Sequence, residues 1–262
     1  MLRSGSFDMI RPAVLVTGGA KRIGGAISRA FANAGWHVVI HFHTSGDAAD
    51  KLAAELPDAQ TICCDLADGD AAVAMIERLA GELGEWRALV NCASLFEPDA
   101  ATGLDPQANE RAMAINARTP TRMAQAYLAH ATASKGRHVI QVTDQKLANP
   151  NPDFFSYTMS KHAFDATIAM LAMGAANTDD CIYGLAPGAI LPSHDQSDEE
   201  AQRSHRMNLL RRRTSAREVA EAAVFLAQGS LASGQTLYCD SGQHLLDQPR
   251  DVIYLARQGE DG

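Results

Sequence analysis

The sequence predicts an α/β protein, a single-domain, doubly wound parallel sheet of about seven strands with helices on both faces. Two observations predict it. Short β-rich runs alternate with longer Ala-rich stretches whose apolar residues recur at helical spacing, and the first run passes directly into a glycine-rich turn. Strands alternating with helices pair in parallel through right-handed crossovers, which gathers their C-terminal ends on one side, where ligands bind.

The runs follow in order. "AVLVT" (13 to 17) opens the sheet, and "GGAISRAFANAG" (24 to 35) reads as the first helix. "HVVIHF" (37 to 42) and "QTICC" (60 to 64) are the next strands, "AVAMIERLAGEL" (72 to 83) a second clear helix, and "ALVNCA" (88 to 93) the strand after it. "HVIQVT" (138 to 143), "CIYGLA" (181 to 186) and "QTLYC" (235 to 239) complete the set. Near-continuous apolar runs of this kind suit strands buried on both faces. "SHDQSDEE" (193 to 200) reads as a mobile loop ending in a capping box at Ser197 and Glu200. One domain over 1–262 is expected, with flexible ends at 1–11 and 256–262.

Hydrophobic residues make up 46% and charged residues 21% of the 262, a globular balance, and the formal net charge is -8. With Arg211 to Arg213 the only tight basic cluster, read as a solvated loop or helix end, no nucleic-acid partner is expected. No apolar run approaches a membrane span and the N-terminus lacks an apolar signal core, so a cytoplasmic protein without membrane association is expected. The five cysteines lie in strand-like apolar runs and are expected to be buried reduced thiols. His41 and His43 share a strand face, but no further ligands accompany them, so no metal is expected.

"TGGAKRIGGAISRAFANAG" begins where the first strand ends. Gly18 and Gly24 would let backbone amides approach a pyrophosphate at the positive end of the following helix, although a glycine turn can also exist without a ligand. Sites that hold a bare ribose 2′-hydroxyl place an acid at the end of the second strand. Here His43, Thr44 and Ser45 stand there as donors, and Arg22 in the glycine turn adds a cation, which favours NADP (NADPH) over NAD. Asp65 either accepts from the adenine amino group or caps the helix starting near Asp68.

Tyr157 and Lys161, four residues apart in "FSYTMSKHAF", share one helix face. An ammonium beside a phenol favours the phenolate and would lower its pKa toward the range where proton transfer is efficient. Asn116 in "AINARTP" and Asp144 at the end of "HVIQVT" support the same site, although Asp144 can also be a cap on the loop after its strand.

"TGGAKRIG" (17 to 24), "CDL" (64 to 66), "NCAS" (91 to 94), Asn116, "YTMSK" (157 to 161) and "APG" (186 to 188) run in order over nearly the whole chain. Together they resemble the short-chain dehydrogenase/reductase family. The resemblance implies a Rossmann fold, a cofactor site that also includes Ile23, Leu66, Asn91, Ala93, Ser94, Pro187 and Gly188, and a homotetramer built on helices around 109 to 133 and 155 to 175. It also implies Tyr157 as acid or base, Lys161 on the nicotinamide ribose, and Asn116 holding a water that links Lys161 to solvent.

Asp144 stands thirteen residues before Tyr157, where such enzymes normally carry a serine. In this the chain resembles the pteridine reductase branch, including bacterial dihydromonapterin reductases, as it does in Arg22 at the usual middle glycine and in "NCASLF". Thr44 departs from the arginine often found there, which leaves more of the 2′-phosphate on Arg22, and Cys92 departs from a common asparagine. In that branch an aromatic at the position of Phe96 stacks on the pterin, though Phe96 can equally pack into the core. Ser94 would contact a cofactor phosphate or the pterin. A donor-rich amino-pyrimidine suits a carboxylate better than a hydroxyl. The expected small-molecule substrate is thus a pterin C=N bond reduced by NADPH; the alternatives are a carbonyl or 3-oxoacyl thioester reductase and a non-catalytic NADP-binding sensor.

Overall fold

The computed structural model describes residues 11–192 and 196–258. Among them, seven strands form one sheet in the order β3-β2-β1-β4-β5-β6-β7. They are β1 (Ala13–Val16), β2 (His37–Phe42), β3 (Ala59–Cys63), β4 (Trp86–Asn91), β5 (His138–Val142), β6 (Cys181–Pro187) and β7 (Thr236–Cys239), and every pairing is parallel. Each expected run is a strand, with ends within two residues of those read from the sequence.

Side-chain alternation splits the core into two layers. Val14, Val16, Val38, Ile40, Val90 and Ile140 face α1 (Arg22–Asn33), α2 (Gly46–Glu55) and, through Val219 and Ala223, a helix near the chain end. Leu15, Val39, Leu89, Val139 and Ile182 face the opposite way, onto Ile76 and Leu79 of α3 (Gly69–Glu82). That layer continues past α4 (Pro106–Met113) to Met123 and Tyr127 of α5 (Thr119–His130) and Ile168 of α6 (Phe155–Gly174). After β6 come α7 (Asp198–Ser204), α8 (Ala216–Leu226), which carries Val219 and Ala223, and α9 (Val252–Gln258). Among the described residues no helix is long and apolar enough to cross a membrane.

Several expectations change. The stretch from 256 is not loose at its start: Ala256 is buried in α9, and Arg257 Nε donates to Glu200 Oε1 at 3.0 Å. The other end residues, 1–10 and 259–262, lie outside the described residues, as do 193–195 of the loop expected to be mobile. The capping box at Ser197 and Glu200 is formed. Of the cysteines, all free, Cys64 is buried, the other three are half-buried, and Cys63 is exposed at the end of the edge strand β3. The arginine run lies exposed in a loop, as expected, with Arg212 paired to Glu218 and Arg213 donating to the Ile190 carbonyl.

Leu89 lies in the middle of this sheet and is fully buried. Leu89→Ala is expected to cost about 2–5 kcal/mol of stability through lost transfer energy and a cavity, read as a lower denaturant midpoint.

Candidate active site

Between β1 and β4 the strand order reverses, so the loops leaving these strands diverge and open a cleft. Thr17 joins them at its floor: its hydroxyl oxygen accepts the Cys92 and Ala93 amides at 2.9 and 3.0 Å. Gly18 follows at φ 62, a left-handed conformation that glycine adopts without steric cost. A Cβ on Gly24 would stand 2.2 Å from the Gly18 carbonyl oxygen, so Gly24 is required by packing as α1 folds back on the turn. The Gly18 amide is not turned toward the cleft, as expected; it donates to His41 Nδ1 at 3.2 Å.

The first turn of α1 has no capping side chain and no acid, which leaves its positive end available to an anion. Arg22 begins this helix at φ 52, holding with a side chain the backbone usually given to glycine, and its exposed guanidinium donates to the Pro192 carbonyl at 3.2 Å. Ile23 is half-buried against the core beside it. At the end of β2, His43 and Thr44 are exposed, and the half-buried Ser45 precedes α2 without a hydroxyl cap bond. Asp65 is exposed, 3.8 Å from His43 Nε2, and its Oδ1 accepts the Ala67 amide at 2.9 Å. It is not the cap of α3; Asp68 accepts from Asp70 and Ala71 in that role.

Two expected cofactor residues point elsewhere. The Leu66 side chain is buried in the core with α3. Asn91 turns into the fold, its amide donating to the Pro120 carbonyl and to Gln141 at 3.2 and 2.8 Å, because a buried strand amide must find partners. Ala93 lies against Gly18, and Pro187 ends β6. Gly188 lies so close to Asp240 and Gln243 that a Cβ there would meet the Gln243 oxygen at 2.8 Å.

On the other side of the cleft, β5 ends just before Asp144 and α6 presents Tyr157. The Tyr157 hydroxyl donates to Asp144 Oδ2 at 2.6 Å, while Oδ1 accepts the Lys146 amide at 2.8 Å, so the carboxylate both caps its loop and faces the phenol. Lys161 donates its ammonium to the Val142 carbonyl at 2.7 Å and lies 5.8 Å from the Tyr157 ring centre. The expected lowering of the phenol is reversed: burial, and then the Asp144 charge and hydrogen bond, hold Tyr157 well above its ordinary value. Burial also raises Asp144 and lowers Lys161 to about 8. In a dry pocket desolvation outweighs the attraction between ammonium and phenolate, so the phenol keeps its proton.

Asn116 lies in a π-helical turn, Ala114–Arg118, between α4 and α5. Its Oδ1 accepts from Ser94 Oγ and the Leu95 amide, and its Nδ2 donates to the Leu95 carbonyl and Ser160 Oγ. An amide has two acceptor and two donor sites, so this side chain is fully engaged and positions the loop after β4 against α6; a water held by Asn116 would have to take its backbone. Ser94 is accordingly engaged with Asn116. Phe96, on that loop, stacks on Phe154 at 4.1 Å and meets Tyr157 edge-on at 4.7 Å, so it packs in a cluster and borders the phenol at once.

Sequence reasoning missed the remaining wall. Lys146 is buried, donating to the Asp153 carbonyl at 2.7 Å and to Asp251 at 3.2 Å, while Arg250 pairs with Asp153 and Tyr254 stacks over Phe154 at 5.9 Å. These contacts draw α9 against the loop after β5. The available signal was the mixed "RDVIYLAR" near the chain end, charged and aromatic where a frayed tail would be polar. His41, considered only as half of a metal pair, is the other omission.

Comparison with known proteins places these observations. A family model described as Enoyl-(Acyl carrier protein) reductase matches residues 18–244. Among solved structures, FolM alternative dihydrofolate reductase 1 from Brucella canis, complexed with NADP, is 31% identical with a TM-score of 0.85, covering 92% of this chain and 97% of its own. Pteridine reductase 1 of Leishmania tarentolae is 25% identical, over 89% of this chain and 96% of that protein. A putative granaticin polyketide ketoacyl reductase of Streptomyces violaceoruber is 26% identical, over 90% and 97%.

The buried ammonium has a measurable signature. Below pH 8 both folded and unfolded chains carry the Lys161 proton; between about 8 and the ordinary 10.5 the folded chain releases it first, so this residue's contribution to stability rises with pH. In Lys161→Met that rise is expected to be absent when denaturant unfolding is compared from pH 7 to 10.5.

Proposed function

The chain belongs to the short-chain dehydrogenase/reductase family, and from that premise we propose that it is an NADPH-dependent reductase of a pterin-type C=N bond. The observation that carries this reading is the 2.6 Å hydrogen bond from Tyr157 to Asp144, a carboxylate where a ketone reductase would use a hydroxyl. The likeness to the pteridine reductase and the alternative dihydrofolate reductase supports it.

The residues fit a phosphorylated dinucleotide. A glycine turn closed by Gly18 and Gly24, the uncapped start of α1, and the donors of His43, Thr44 and Ser45, with His43 also beside Asp65, make a cradle with a cation, Arg22, at its rim. Asp65, Ala93, Pro187 and Gly188 would border the rest, and Lys161 would hold the nicotinamide ribose. Bound there, NADPH supplies hydride to the substrate carbon.

This chain's own residues supply the proton. Tyr157 and Asp144 share one hydrogen bond in a half-buried site; the phenol hydrogen would pass to the ring nitrogen and the pair would regain a proton from solvent before the next turnover, with Asp144 able to face the amino-pyrimidine's donors. Phe96 offers the flat heterocycle an aromatic neighbour fixed by Phe154. Asn116 and Ser160 hold the loop and α6 in register. Cytoplasmic residence and a homotetramer on α5 and α6 complete the reading; exposed Met159, Met170 and Met173 on α6 suit such a contact. A second reading, 3-oxoacyl thioester reduction, is favoured by the similarity to the ketoacyl reductase.

The deciding assay follows NADPH consumption with dihydromonapterin, dihydrobiopterin, dihydrofolate and an acetoacetyl thioester. Turnover of a dihydropterin or dihydrofolate is expected; turnover of the thioester alone selects the second reading. Tyr157→Phe is expected to lower kcat about 10²–10⁴-fold, and a variant with full activity overturns the proton assignment. Arg22→Gly relaxes the left-handed backbone, so the fold should be kept, while the preference for NADPH over NADH should drop about tenfold or more in dissociation constants.

A further inference from the structure

His41 is the penultimate residue of β2 and is almost wholly buried. Nδ1 accepts the Gly18 amide at 3.2 Å, Nε2 meets the Cys64 carbonyl at 3.0 Å, and the His41 carbonyl accepts the Gly19 amide at 3.0 Å. A carbonyl only accepts, so Nε2 must carry the hydrogen; an amide N–H only donates, so Nδ1 must be bare. One neutral tautomer satisfies both contacts. Burial, which lowers the ring's pKa to about 4, keeps it in that form at neutral pH.

Both ring partners belong to loops that flank the cleft. Gly18 begins the turn whose next residues lead into α1, and Cys64 precedes Asp65, whose carboxylate lies near His43. This ring spans the phosphate side and the adenine side of the cradle, and it turns the Gly18 amide into the protein, so that the anion is met by the start of α1.

We infer that His41 is a positioning residue for the dinucleotide, a strut that fixes the separation between the glycine turn and the end of β3. The inference rests on the cofactor reading given above. Removing the ring's polar atoms leaves a half-buried N–H and a buried carbonyl without these partners, and the two loops must shift to satisfy them.

Three variants separate this role from simple packing. His41→Asn keeps an acceptor near the place of Nδ1, His41→Gln keeps a donor near that of Nε2, and His41→Phe keeps only the ring's volume. Fluorescence titration with NADPH is expected to give a dissociation constant raised about three- to tenfold in the Asn and Gln variants and about thirtyfold in the Phe variant. At saturating NADPH, kcat and the KM of whichever panel substrate is reduced should stay within about twofold, since the strut does not touch the Tyr157 side. Wild-type protein that binds no NADPH overturns the cofactor reading and the strut with it. Wild-type binding together with an unchanged constant in folded His41→Phe overturns the strut alone. An equal fall of kcat in all three variants, or loss of the fold in all three by circular dichroism, makes His41 a general structural residue and also overturns it.

Discussion

A phenol whose hydroxyl donates a hydrogen bond to a half-buried carboxylate is the constraint on which the rest of this site depends. Asp144 lies beside the buried Tyr157, where a carboxylate without partners would be costly. It is tolerated because the Lys146 amide and the Tyr157 hydroxyl both donate to it. That hydrogen bond from Tyr157 ties α6 to the loop after β5. Lys161 is subject to the same desolvation and answers it by donating to the Val142 carbonyl, so the three groups converge without forming a phenolate.

The sheet supplies the geometry that makes this convergence possible. Alternation buries Val14, Val16, Leu15 and Leu89 in two layers, and where β1 and β4 part company polar side chains take over. Thr17 bridges the two strand ends, His41 braces the glycine turn from β2, and Asn116 fastens the loop after β4 to α6. Each of these residues is buried and bonds to the backbone of a loop at the cleft, Asn116 also to Ser94 and to Ser160 of α6, so a rigid core is converted into fixed loop positions. The C-terminal helix adds the last wall through Asp251, Arg250 and Tyr254, closing an aromatic cluster around Phe96 and Phe154.

Much of this was legible in the sequence because it depends on local periodicity. Apolar runs placed all seven strands, the glycine turn marked the cradle, and four-residue spacing put Tyr157 and Lys161 on one face. What remained hidden depends on burial and on partners distant in the chain. The direction of the Tyr157 shift could not be read from its nearest charged neighbour, because desolvation decides it. Leu66 and Asn91 sit inside cofactor motifs, yet their side chains serve the core, since a motif specifies backbone as often as side chain. His41 and Lys146 acquire their roles only when Cys64 and Asp251 are brought beside them.

The account turns on the protonation of one phenol, and that can be observed directly. Protein carrying ¹³Cζ-labelled tyrosine, with the Tyr157 resonance assigned by its loss in Tyr157→Phe, can be titrated by NMR from pH 6 to 10 in the absence of cofactor. The account predicts that this resonance does not move through an ionisation in that range. A titration centred at or below pH 8 would contradict it, and would return the proton chemistry to the ammonium of Lys161.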